Sequence, residues 1–202
     1  MGEKGERTRR EIVRKALDLF SVKGYFNTSL NDLLAATGVT KGCFYGHFES
    51  KEALWFAVYG EAARIWRELV LKGLQEVPDP VVRIKRFIEN DMRDYLGADT
   101  FPGGCFFLNM AVELSGQEER MAAEVMRGIR WSADLIAEWL LEAEGKGLLR
   151  PGVDREETGR FVMTALNGAA ALYAATHDPA VWRDTVSQLG VYIDGLKCPQ
   201  GN

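Results

Sequence analysis

Apolar residues recur at intervals of three and four along most of this chain, which is the spacing of one face of an α-helix. The β-branched residues are scattered, and alternation of apolar and polar positions never lasts for more than a few residues. The pattern therefore predicts an all-α protein with nine helices. Their expected bounds are about 8–23, 29–36, 40–46, 51–74, 80–96, 105–114, 118–144, 154–176 and 179–196.

The second and third predicted helices are short and are joined by a few residues centred on Gly38, which is typical of a helix-turn-helix. In such a motif the second helix enters the DNA major groove, and only its outward residues reach base edges. Lys41, Gly42 and Cys43 are the candidates. Lys41 is the strongest, because its ammonium can donate to guanine O6 and N7. Phe44 is expected to anchor the opposite face in the core.

The N-terminal third resembles the TetR family of bacterial one-component transcriptional regulators. The resemblance covers residues 8–54 and is carried by ordered glycines, aromatic residues and a lysine at fixed offsets. The matching positions are Thr8, Ile12, Ala16, Leu19, Phe20, Gly24, Tyr25, Thr28, Ser29, Leu30, Asp32, Leu33, Gly38, Val39, Thr40, Lys41, Gly42, Phe44, Tyr45, His47, Phe48, Ser50, Lys51 and Leu54.

The resemblance implies a two-domain architecture, with a DNA-binding domain at 1–50 and an effector-binding and dimerisation domain at 51–202. It implies a homodimer that binds double-stranded DNA at a palindromic operator. It assigns phosphate contacts to Tyr45, His47 and Lys51, although His47 could instead be a structural histidine. With the positions that begin the two short helices, the expected DNA-binding set is Thr28, Ser29, Thr40, Lys41, Gly42, Cys43, Tyr45, His47 and Lys51.

Most of the aromatic residues follow position 55, and their abundance suggests an apolar cavity as well as a core. The resemblance places a small hydrophobic effector among helices four to eight. Asn109, Glu113 and Asn167 are polar within apolar stretches, so we expect them to orient a ligand or to satisfy each other. The full expected effector-binding set is Trp66, Phe87, Cys105, Phe106, Asn109, Met110, Glu113, Trp131 and Asn167.

The last two predicted helices are expected to form the dimer interface. Small residues around Gly168 and Ala171 would let another helix approach closely, and an apolar stripe follows in the ninth helix. The expected interface residues are Gly168, Ala171, Trp182, Leu189 and Ile193, and the stripe also includes Val191 and Leu196.

Charge is divided unevenly along the chain. The whole chain carries a formal charge of −4, which by itself argues against a nucleic-acid partner. Residues 1–55, however, hold nine Lys and Arg against seven Asp and Glu, a net charge of +2. The remaining residues carry a net charge of −6. The sequence therefore predicts a mildly basic DNA-binding head on an acidic effector domain.

Signs of other protein classes are weak. Three widely spaced cysteines and two histidines offer neither a disulfide framework nor a metal site, and no phosphate-binding loop follows a strand. We expect no enzymatic activity, no cofactor, no metal and no membrane association, and a cytoplasmic location, because the N-terminus lacks an apolar signal core and no long apolar run is present.

Three alternatives remain open at this stage. The regulator could be an activator, or it could sense electrophiles or oxidants through Cys105, whose expected place in the first turn of a helix would lower the thiol pKa. An enzyme or ligand carrier built on a helical bundle is the alternative from a different class.

Overall fold

The computed structural model describes residues 2–198, which fold into nine α-helices. Between residues 2 and 198 the β pairing consists of one isolated bridge, so the all-α prediction is confirmed. A 3₁₀ turn at Leu74–Glu76 separates α4 from α5, and a π-helical turn at Asn90–Leu96 continues α5. The helices are α1 (Glu3–Lys23), α2 (Leu30–Thr37), α3 (Lys41–Tyr45), α4 (Lys51–Val70), α5 (Pro80–Glu89), α6 (Phe106–Leu114), α7 (Glu119–Gly145), α8 (Arg155–Thr176) and α9 (Pro179–Asp194).

Local capping explains the ends of the first short helices. Ser29, Thr40 and Ser50 each accept a hydrogen bond from the backbone N–H three residues ahead, at the starts of α2, α3 and α4. Gly38 adopts the left-handed conformation, with φ at 69°, and ends α2. The turn between α2 and α3 is therefore as short as the sequence predicts.

The beginning of α1 and the end of α4 differ clearly from the predicted bounds. α1 begins at Glu3 rather than near Thr8, because Glu3 and Glu6 are acids in its first turn and favour the positive end of the helix dipole. α4 ends at Val70 rather than near residue 74, since Gly73 takes the left-handed conformation, with φ at 72°.

The fifth helix does not continue as a regular α-helix to residue 96. At Asn90 it widens into the π-helical turn, a rare form that is often found at functional sites. The side chain of Asn90 is buried, and its Nδ2 donates to the carbonyl oxygens of Val70 at 2.9 Å and Lys72 at 3.2 Å. The turn thereby satisfies backbone groups at the end of α4.

The almost wholly hydrophobic sequence of α6 predicts a helix that is buried on all sides. In the structure α6 is amphipathic instead. Phe106, Met110 and Leu114 are fully buried at intervals of four residues, whereas Val112 is 71% exposed. The prediction was wrong because an apolar run of this length does not show which of its faces has a partner.

The buried side chains form one continuous core from α1 to the end of α9. α1 packs against α2 and α4, while α7 and α8 pack along their lengths and α8 also contacts α9. Trp55 of α4 is fully buried, and its indole N–H donates to Met110 Sδ of α6 at 3.3 Å. No helix within residues 2–198 is long and apolar enough to cross a lipid bilayer.

Candidate nucleic-acid interface and ligand cavity

α3 presents one face to solvent and buries the other. Phe44 is 1% exposed and Leu33 of α2 is fully buried, so both short helices are anchored in the core. Lys41, Gly42 and Tyr45 are exposed on the outer face. No ion pair among the described residues engages Lys41, which leaves its ammonium available to a DNA base or phosphate. This is the surface that the helix-turn-helix prediction requires.

Thr40 and Cys43 lie beside this surface and are partly used by the fold. The Thr40 hydroxyl accepts the backbone N–H of Cys43 at 3.2 Å and so begins α3. Thr40 is exposed, while the Cys43 side chain is half-buried. A half-buried thiol offers little to a base edge, so Lys41 and Tyr45 are the more accessible groups.

Two predicted DNA contacts are occupied inside the protein. Thr28 is fully buried, and its hydroxyl donates to the carbonyl oxygen of Gly24 at 2.6 Å. Lys51 donates from Nζ to the carbonyl oxygens of Tyr25 at 2.7 Å and Thr28 at 2.8 Å, and it lies 4.1 Å from the centroid of the Tyr25 ring. The prediction for Thr28 is corrected, because its side chain does not reach solvent. Lys51 is half-buried, and its ammonium holds the chain between α1 and α2.

Ser29 and His47 are two further predicted DNA contacts. Ser29 is exposed, but its hydroxyl forms a capping box with Asp32, and the hydrogen bonds from Ser29 and Lys23 hold the pKa of Asp32 well below its usual range. His47 is half-buried, and its Nδ1 is buried with no hydrogen-bond partner in the described part of the chain. The structure favours a capping role for Ser29.

Glu113 connects α6 to the turn that precedes α2, which we call the 24–28 turn. Its two carboxylate oxygens accept the backbone N–H groups of Tyr25 and Phe26, each at 2.8 Å. Gly24 permits this approach, since a Cβ there would lie 2.5 Å from Glu113 Oε1 and the residue has a φ of 80°. The prediction that Glu113 orients a ligand is therefore wrong.

The 24–28 turn is thus held from two sides. Glu113 of α6 binds its N–H groups, while Lys51 of α4 binds its carbonyl oxygens. Charge-assisted hydrogen bonds of this kind are about twice as strong as neutral ones. The loop before α6 also contacts α1 closely, because the backbone N–H of Gly103 donates to Ser21 Oγ at 3.0 Å. Only glycine fits there, since a Cβ on Gly103 would lie 1.7 Å from the Ser21 carbonyl oxygen.

A cavity of about 70 Å³ lies between α4, the π-helical turn, α6, α7 and α8. Four predicted effector residues line it: Trp66, Cys105, Trp131 and Asn167. Other lining residues that the sequence did not single out include Tyr59, Arg67, Asp91, Met92, Tyr95 and Phe107. The cavity is mainly apolar and aromatic, as small-molecule sites usually are.

The remaining five predicted effector residues do not line this cavity. Phe87, Phe106 and Met110 are fully buried core residues. Asn109 donates from Nδ2 to the carbonyl oxygen of Gly103 at 2.8 Å, which fixes the loop before α6, and Glu113 binds the 24–28 turn. These corrections share one cause, since the sequence shows that a residue is buried but not which cavity it faces.

Asp91 is the most informative residue that the sequence analysis missed. It is 7% exposed, lines the cavity, and accepts the indole N–H of Trp66 at 2.8 Å. Burial raises the pKa of Asp91 to about 6, against the opposing effect of the Trp66 hydrogen bond. Its neighbours in the sequence include Glu89, Asn90, Arg93 and Asp94, so no local pattern distinguishes it from a surface acid.

Cys105 lines the cavity but lacks the features of a reactive thiol. It is the residue that precedes α6, it is 8% exposed, and its Sγ accepts the Tyr95 hydroxyl at 3.5 Å. Burial raises the pKa of the Cys105 thiol, which outweighs the backbone and Tyr95 hydrogen bonds that lower it. The expectation of a lowered pKa is wrong, and the sensing hypothesis loses its physical basis.

The outer face of α8 and α9 is apolar and exposed. Phe161 is 48%, Leu172 60% and Val191 66% exposed, and the Phe161 ring contacts Tyr192 with centroids 5.0 Å apart. We call this set, with Tyr192, the α8–α9 face. Among the predicted interface residues, the structure exposes Gly168 and Ala171, half-buries Trp182 and buries Leu189 and Ile193.

Leu189 and Ile193 are therefore corrected from interface to core residues. They are 5% and 0% exposed, as Leu196 is at 4%, whereas Val191 lies on the opposite side of α9. The predicted stripe mixed two faces of one helix. No cluster of three or more His, Cys, Asp or Glu side chains in the described ranges is arranged to hold a metal ion.

Two family models match the chain. One, described as bacterial regulatory proteins of the tetR family, matches residues 12–58, and the other, the tetracyclin repressor-like C-terminal domain, matches residues 80–189. The HTH-type transcriptional repressor DhaR of Mycobacterium sp. (strain GP1) is similar, with 28% identity over 164 residues that cover 80% of this chain and 79% of that protein.

Solved structures agree with both matches. A TetR transcriptional regulator from Chloroflexus aurantiacus J-10-FL superposes with a TM-score of 0.90 at 30% identity, over 97% of this chain and 98% of that one. A TetR-family regulator from Cytophaga hutchinsonii gives a TM-score of 0.86 at 25% identity, over 99% and 100% of the two chains.

The first prediction concerns the effect of Asp91 on stability. The pKa of Asp91 in the folded protein is about 6, above the ordinary value of 3.8, so ionisation of this carboxyl disfavours the folded state. The free energy of unfolding should therefore fall as the pH rises between these two values. Asp91→Asn keeps an acceptor for Trp66. We expect the variant to exceed the wild type in free energy of unfolding by up to about 3 kcal/mol at pH 7.5, because one pKa unit corresponds to about 1.4 kcal/mol.

Urea denaturation at pH values from 4 to 7.5 measures this difference, which should shrink toward pH 4. Asp94→Asn, on the same turn but paired with Arg93 at the surface, is the matched control and should show no such gain. A stability difference for Asp91→Asn that is constant across this pH range would contradict the assignment.

Proposed function

Since the chain belongs to the TetR family of bacterial transcriptional regulators, we propose that it is a repressor that leaves a palindromic operator when a small hydrophobic effector occupies its cavity. Its broader class is a ligand-responsive DNA-binding regulator. The single observation that supports DNA binding best is the exposed face of α3 on its two buried anchors. We place the boundary between the DNA-binding and effector domains near residue 50, where α4 begins.

The proposed base reader is Lys41, with Tyr45 as a phosphate contact. Both are exposed on α3, and Gly42 between them adds no side chain, so the backbone of α3 can approach the groove closely. One lysine per recognition helix gives sparse direct readout. Specificity then depends on two half-sites read by a dimer and on the shape of the DNA.

Dimerisation is proposed through the α8–α9 face. Exposed apolar patches of this kind mark interaction sites, and small residues at Gly168 and Ala171 allow close helix packing beside it. A dimer is needed because half-sites lie about one helical turn of DNA apart, beyond the reach of one recognition helix.

The two helices that hold the 24–28 turn also reach the cavity, which provides a route for the effector signal. α4 carries Lys51 at its start and Trp66 in the cavity, while α6 lies between Cys105 in the cavity and Glu113 near its end. A displacement of either helix by an occupant moves the attachment of the DNA-binding domain. DNA must in turn weaken effector binding by the same factor, since coupling is reciprocal.

The second prediction tests base reading. Lys41→Ala should weaken binding to the DNA upstream of the gene by about 1–3 kcal/mol per half-site, and it should relax preference at one base pair in each. Fluorescence anisotropy with the upstream fragment and with single-base variants measures both effects. Lys72→Ala removes the same charge far from α3 and is the control. A uniform loss across all sequences would make Lys41 a phosphate contact instead.

The third prediction tests the dimer. Leu172→Glu places a charge in the α8–α9 face and should shift the protein from dimer to monomer, as measured by sedimentation velocity. Leu141 of α7 is 54% exposed and lies outside this face, so Leu141→Glu should leave the dimer intact. If both variants sediment as the wild type does, the interface lies elsewhere.

The fourth prediction tests the attachment of α6 to the turn. Glu113→Gln replaces one acceptor oxygen with a donor that faces an N–H group, so the free energy of unfolding should fall by about 1.5–3 kcal/mol. Affinity for the upstream DNA should also fall at protein concentrations where the variant is folded. Glu119→Gln, on the exposed first turn of α7, is the control. Unchanged DNA affinity in folded Glu113→Gln would show that the contact between Glu113 and the 24–28 turn does not position the DNA-binding domain.

A further inference from the structure

The cavity contains one buried carboxylate without a cationic partner. Asp91 accepts a single hydrogen bond, from Trp66 Nε1 at 2.8 Å, and in the chain from residue 2 to residue 198 no Lys, Arg or His nitrogen lies within ion-pairing distance of it. Its position on the π-helical turn directs it to the cavity that it lines. The rest of the fold does not explain this charge.

A neutral acceptor would satisfy Trp66 equally well. A buried acid that is ionised pays a large desolvation cost, and proteins usually offset such a cost with a cation or several hydrogen bonds. Burial raises the pKa of Asp91 only to about 6, so the carboxyl is ionised at pH 7.5. The missing partner is therefore a positive charge that enters the cavity from outside.

The walls around Asp91 are aromatic. Trp66 packs edge-on against Phe107 and Trp131, with ring centroids 6.4 Å and 6.5 Å apart, and Tyr59 contacts Phe107 at 5.8 Å. Aromatic faces attract cations, most strongly where water is excluded. The carboxylate and the rings therefore favour the same kind of ligand.

We propose that the effector is a small amine, protonated at neutral pH, whose ammonium binds the Asp91 carboxylate while its apolar body contacts the aromatic walls. This inference rests on the proposed function and names the chemical class of its effector. A primary or secondary ammonium supplies N–H donors for the free carboxylate oxygen, which a quaternary ammonium lacks.

The charge at the edge of the cavity sets the orientation of the ligand. Arg67 is exposed, and its guanidinium lies 6.0 Å from the centroid of the Trp131 ring, which is 43% exposed. This positive group at the solvent side repels an ammonium from the entrance but is screened by water. The ammonium therefore lies deep, at Asp91, and the apolar end faces Trp131.

The experiment uses the full-length protein without DNA at pH 7.5 and follows tryptophan fluorescence, which Trp66 and Trp131 make sensitive to the cavity. The probes are butylamine and benzylamine, with benzyl alcohol, benzoate and benzyltrimethylammonium as matched neutral, anionic and non-donating cationic compounds. We expect an amine to bind the wild type at least 10-fold more tightly than its neutral and anionic counterparts. Benzyltrimethylammonium should bind more weakly than benzylamine.

Asp91→Asn should reduce amine affinity at least 10-fold and leave benzyl alcohol affinity unchanged, while Asp94→Asn should behave as the wild type. Equal binding of amine and alcohol, tighter binding of benzoate, an unaffected Asp91→Asn variant or failure of every amine to bind would each overturn the proposal. Because no DNA is present, these outcomes are independent of the Lys41→Ala test, so failure of the amine proposal leaves the repressor proposal standing.

Discussion

The paired attachment of the 24–28 turn is the constraint on which the arrangement of this protein depends. Within this turn of five residues, two N–H groups and two carbonyl oxygens are each bound by a charged group from a different helix. Glu113 and Lys51 thus fix the position of α2, and through the short turn at Gly38 they fix α3 as well. The exposed face of α3, which we propose reads DNA, therefore has a defined position relative to the cavity.

The fold was largely predictable because its signals are local. Helical periodicity, caps at Ser29, Thr40 and Ser50, and the glycine at 38 identify the helices and the helix-turn-helix. The predictions were wrong where the burial of a helix face depends on which other helices pack against it. α6 reads as buried on all sides until the fold shows which neighbours it lacks, and the α9 stripe reads as one face although Ile193 and Val191 point to opposite sides.

The exposure of a site residue was predictable only where it follows from helix periodicity, as for Lys41. The polar residues inside apolar stretches were correctly noticed as unusual, but their roles depend on long-range contacts. Glu113 finds its partners 87 and 88 residues away, and Asn109 binds a loop carbonyl. Asp91, by contrast, lies among polar and charged neighbours in the sequence, and only its place on the π-helical turn buries it.

The close contact at Gly24 also limits how this regulator can be recombined. The absence of a side chain at residue 24 and the carboxylate at residue 113 form one unit, although they belong to different domains and lie far apart in the sequence. A DNA-binding domain from another regulator, joined to this effector domain, would inherit the attachment only if it brought a glycine at this position. Exchange of modules between such proteins is therefore restricted by a single atom-sized space at the junction.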